Sequence, residues 1–138
     1  MQLINDLLEK SPDQTVVSRY TAMNGVIYLG AGALLVLWPG AMQTIFGDSA
    51  FVGREEGLIR VVGLTVVIIG FLYLLGGRAN AAQIIAVSIV CRPFLVPLTI
   101  VPLAIAGVFP GLLLTFVVLD TSLSIIGWVL YRKTRRQN

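Results

Sequence analysis

Arg92 and Asp120 are the side chains of this sequence best placed to do chemistry, because they are charged where almost nothing else is. Between positions 61 and 130 the only full charges are Arg78, Arg92 and Asp120. Arg92 stands in the stretch SIVCRPFLVP, residues 88–97, with Cys91 before it and Pro93 and Pro97 after it. Leaving either charge alone near the middle of a bilayer costs ~2.5–3.5 kcal/mol on insertion scales, so the two are expected to pair or to line a shared polar pocket. The same inventory excludes other chemistries. The chain has no histidine, which removes a His-ligated haem, a His-based metal site and any serine or cysteine nucleophile with a His base. Cys91 is alone, so one copy forms no disulfide, and it reads as a small buried packing residue. No cofactor is expected to be held by this chain's own ligands.

The elements that must position the pair are membrane helices. Of 138 residues, 57% are hydrophobic and 12% charged, and the mean hydropathy is +0.88. Ordinary soluble domains are ~45–50% apolar and ~25% charged, so a bilayer is the natural solvent for this chain and no nucleic-acid partner is expected. The expectation is an all-α integral membrane four-helix bundle in one domain, with spans at about 19–38, 58–76, 82–107 and 111–131. Residues 1–10 carry Leu3, Ile4, Leu7 and Leu8 at helical spacing and acidic residues where a cleavable signal would be basic. They read as a short helix on the membrane surface.

Punctuation supports these limits. Ser11, Pro12 and Gln14 match a capping box at the start of the first helix, and Pro39-Gly40 ends its span at Trp38. Residues 39–57 are too polar to cross, although Met42, Ile45 and Phe46 are apolar enough to dip into the interface. Gly47, Asp48 and Ser49 read there as a helix stop followed by a new N-cap. Glu56 and Arg60, four apart with the acid first, form a surface pair worth ~0.2–0.5 kcal/mol. In the third span Pro93, Pro97 and Pro102 free the carbonyls of Ile89, Pro93 and Leu98 beside Arg92, so that span is expected to be broken.

Four spans place both termini on one side, together with Lys10, Arg19, Arg78, Arg132, Lys133, Arg135 and Arg136, whereas Arg54 and Arg60 fall on the other. The positive-inside rule then puts both termini in the cytoplasm. Arg92 lies ~15 Å and Asp120 ~16–17 Å from that face at 1.5 Å per residue, which matches their depths on adjacent antiparallel helices. Ser88 and Thr99 share the face of Arg92, and Ser124 and Gly127 that of Asp120. With Asn24, Tyr28 and Tyr73 these residues outline a candidate polar pocket. The alternative is that the pair merely locks the third and fourth spans together. Gly25 and Gly32 in the first span, and Gly63 and Gly70 in the second, stand seven apart and read as helix-packing faces.

EEGLIRVVG leading into the second span, YLLGGR closing it, CRPFLVP in the third and LD in the fourth resemble the DoxX-like group of small four-helix bacterial membrane proteins. The resemblance implies a bacterial inner-membrane location and a non-catalytic subunit or quinone-linked partner. Taken together, the sequence points to a small non-enzymatic membrane protein, an accessory or assembly subunit of a larger complex. Its partners would be membrane lipids and other membrane subunits, or further copies of itself. A lipid- or quinone-binding module of a redox system and an oligomeric small-solute transporter are the alternatives.

Overall fold

Backbone groups that meet no water must bond within their own segment, and the apolar runs of this chain do so as helices. The computed structural model describes residues 11–135, with the side chains of Met42 and Arg135 outside that description. The surface helix expected over residues 1–10 lies outside it too. Among the described residues there are six helices and no strand: α1 Val16–Leu37, α2 Gly40–Phe46, α3 Glu55–Arg78, α4 Ala82–Val90, α5 Arg92–Ile105 and α6 Pro110–Arg135. Three segments, Val16–Leu37, Glu55–Arg78 and Pro110–Thr134, are long and apolar enough to cross a membrane. The bent pair α4–α5 brings the number to four if it counts as one span. The outward faces agree, since Leu64, Ile68, Phe71, Leu98 and Val118 are all exposed. These features mark the chain as a membrane protein.

The first helix starts later than the sequence predicts. Thr15, not Ser11, is its N-cap, and the Thr15 hydroxyl accepts from the Ser18 amide at 3.1 Å. Ser11 and Gln14 serve another helix end instead. The Ser11 amide and the Gln14 side-chain amide each donate to the Arg78 carbonyl at 3.0 Å, filling acceptors that the last turn of α3 leaves open. The expected N-cap at Asp48-Ser49 is also displaced, because α3 begins only at Glu55. Gly47 does end α2, in the left-handed conformation at φ 69°. Asp48 then reaches across the fold, its two carboxylate oxygens accepting from the Gly111 and Leu112 amides at 2.8 Å each. A carboxylate at the positive end of α6 answers both the open amides and the helix dipole.

Helix α1 packs most extensively on α3, and α5 on α6. The α1–α3 contact is a seam of backbone on backbone. A Cβ added at Gly25 would run into the backbone of Gly70 and Leu74, and one at Gly32 into that of Gly63 and Val67. Gly77 extends the seam against Ser18 and Ala22. The sequence held its signal, since Ser18, Gly25 and Gly32 repeat at the same interval of seven as Gly63, Gly70 and Gly77.

The stretch predicted as one span over 82–107 is two helices, bent by 43° at Cys91. Pro93 offers no amide to Ile89 and its ring crowds that carbonyl, which breaks the ladder there. Pro97 and Pro102 lie inside α5 without a second break. Apolar clusters close both ends of the molecule. Leu35, Ala41, Ile59 and Leu112 pack with Phe46 and Phe116 at one end, and Val17, Ile85 and Ile89 pack with Leu130 at the other.

Candidate functional site: a buried charge pair at the helix break

Between the two apolar clusters lies a polar layer centred on Arg92. The bend puts this residue at the first position of α5, from which its long side chain runs inward and is only 5% exposed. Its Nε donates to Oδ1 of Asp120 at 2.9 Å, and Nη2 donates to the same oxygen and to the Tyr28 hydroxyl. Asp120, on α6, is 2% exposed. The guanidinium carbon also lies 4.8 Å from the ring centre of Tyr28 and 5.3 Å from that of Tyr73. Those two rings meet edge to face at 5.6 Å. Tyr28 belongs to α1 and Tyr73 to α3, so a single guanidinium ties α1, α3, α5 and α6 together.

The electrostatics of this arrangement are those of a desolvated cation surrounded on purpose. A buried charge is tolerable when a counter-ion and further hydrogen bonds replace its lost water. Aromatic faces add attraction that grows with desolvation, ~2 kcal/mol or more in dry sites. The shell is not saturated. Asp120 Oδ2, Asn24 Oδ1 and Thr121 Oγ1 are buried and have no hydrogen-bond partner among the described residues. Asp120 is thus bonded through one oxygen only, although a carboxylate accepts up to about four hydrogen bonds.

The sequence-derived residues sort into three groups. Arg92, Asp120, Tyr28 and Tyr73 converge. Ser88 and Ser124 lie beside them and join α4 to α6, where the Ser124 hydroxyl donates to the Ser88 carbonyl at 3.4 Å. Asn24 is buried in the same layer, one turn of α1 from Tyr28. Thr99 does not belong. It is exposed, and its hydroxyl turns back to donate to the Leu95 carbonyl at 2.8 Å. The bend explains the difference, because α5 packs chiefly on α6 and, of its side chains, only Arg92 at its first position and Ala104 near its last are buried. The freed carbonyls expected beside Arg92 are not its acceptors either, since Asp120 and Tyr28 take its described hydrogen bonds.

Tyr20 stands outside the sequence-derived set, yet its hydroxyl donates to the Leu123 carbonyl at 2.9 Å and holds α1 to α6. Its signal was the spacing Tyr20, Asn24, Tyr28 on one face of the first helix. Among the described residues no three His, Cys, Asp or Glu side chains converge in a metal-binding group. What the layer can do chemically is hold a neutral ion pair rigid inside apolar surroundings. Comparison with models of known families, with characterised proteins and with solved structures finds no match for this chain.

Proposed function

We propose that the chain is a non-enzymatic four-span membrane protein, with the bent pair α4–α5 as its third span, that serves as an accessory or assembly subunit of a larger membrane complex. The turn between α5 and α6 is short, and α1 runs antiparallel to α3. Arg19, Arg78, Arg132 and Lys133 therefore gather at one end, and Arg54 and Arg60 at the other. By the positive-inside rule the first end, with both termini, faces the cytoplasm of a bacterial cell. The resemblance to the DoxX-like group leads to the same reading.

The observation that carries the reading is the burial of the charge pair. Transport asks for a path along which ionisable groups meet water, and catalysis for a reactive group that meets substrate. Arg92 and Asp120 at 5% and 2% exposure meet neither. The bond between them, with the bonding of Arg92 to Tyr28 and its contact with Tyr73, suits a fastener that keeps a proline-broken helix at a fixed angle. Such a scaffold offers its outer apolar faces to neighbours. Isolation from native membranes in mild detergent, at native expression level, is the test. Stoichiometric membrane-protein partners are expected. A solitary chain whose reconstituted vesicles show solute flux, abolished by Asp120→Asn, would overturn the reading. A second reading, a lipid- or quinone-binding module, is favoured by an apolar cavity of about 370 Å³ beside the bend, between α4–α5 and α6.

A further inference from the structure

That cavity has a direction. Its walls are Ile89, Val90, Pro93 and Phe94 on one side and Ile125 and Trp128 on the other, with buried Ser124 in the lining. It exists because the 43° bend at Cys91 turns α5 relative to α4 beside α6. Trp128 also lines a second cavity, of about 240 Å³, together with Val129, Arg132 and Lys133 one turn further along α6. Arg132 lies over the Trp128 ring at 3.7 Å, so a cation is held at the end of the groove, with exposed Lys133 beside it. The groove is thus apolar at its inner end and basic at its outer end.

We propose that this groove seats one acyl chain of an anionic phospholipid, with the phosphate at Arg132 and Lys133. The proposal rests on the second reading above and chooses between its two ligands. Length fits a lipid of one leaflet: Ser124 to Lys133 spans nine residues, ~13–14 Å along α6, against ~15 Å for half of a ~30 Å hydrocarbon core. Charge decides the head group. Two basic side chains at the surface end complement a phosphate, and Trp128 sits where an interfacial indole belongs. A quinone would want its polar head inside the membrane. There the groove offers only Ser124, whose hydroxyl is directed to the Ser88 carbonyl.

Native mass spectrometry of the full chain in mild detergent, titrated with phosphatidylglycerol or with zwitterionic phosphatidylcholine, tests this. One phosphatidylglycerol per chain is expected, retained far better than phosphatidylcholine. Arg132→Gln with Lys133→Gln should weaken retention about twenty-fivefold, from roughly fivefold per basic residue near an anionic head group. Val90→Trp or Ile125→Trp, on opposite walls, should block the groove and abolish it. Arg19→Gln, which removes an exposed charge at the same end away from the groove, should change nothing. Equal retention of both lipids, an equal loss in Arg19→Gln, or a stoichiometric quinone or protein in place of the lipid overturns the proposal. Resistance of the chain to carbonate extraction from membranes reports separately on the spans, so their failure and the failure of the lipid site are distinguishable.

Discussion

Replacing Arg92 by leucine should be among the most damaging single changes in the molecule. The substitution strands the Asp120 carboxylate at 2% exposure and removes both guanidinium donors from its Oδ1. Removing one partner of a buried pair costs about 3–5 kcal/mol, or two to four powers of ten in the folded fraction. Asp120→Leu should be milder by about 1 kcal/mol, because Arg92 keeps the Tyr28 hydroxyl and two aromatic faces. The double change Arg92→Leu with Asp120→Leu leaves no charge behind and fills the space with apolar atoms, so it should recover most of the loss. The coupling between the two sites should reach at least ~2 kcal/mol. Equilibrium unfolding in mixed micelles, followed by the fluorescence of Trp38 and Trp128, measures all four corners of the cycle. If the double variant is as unstable as the two singles added together, within ~0.5 kcal/mol, the pair contributes nothing jointly and the fastener argument fails.

Three further outcomes follow from the same contacts. Tyr28→Phe should cost about 1.5–3 kcal/mol by taking an acceptor from the guanidinium. Tyr73→Phe should cost little, because Tyr73 meets Arg92 through its ring face; both are read in the unfolding assay. Gly25→Leu or Gly70→Leu should sharply lower the monodisperse folded yield in fluorescence-detected size exclusion, since a Cβ at either position collides with the facing backbone. Gly30→Ala, with open space around it, should not. Asp48→Ala should cost about 1 kcal/mol, the usual value of an N-cap, and should raise hydrogen exchange at Gly111 and Leu112 before it affects other helices.

Membrane class, helix type and the approximate limits of three long helices were legible because apolar composition acts through the solvent, and hydropathy reports it residue by residue. The matched depths of Arg92 and Asp120 were legible too, because helix rise is constant and both charges had to avoid lipid. Helix ends were less so. Ser11, Gln14 and Asp48 carry the right chemistry for caps, but which helix end each one serves depends on what lies beside it in space. Here Arg78 and Gly111, more than sixty residues away in sequence, took the bonds. The prolines announced a break but not its angle, and the 43° bend decided that Arg92 points inward while Thr99, at nominally the same helical phase, faces out. Periodicity assumes a straight axis. Once α5 turns, a residue's phase no longer gives its environment, and only the packing of α5 on α6 does.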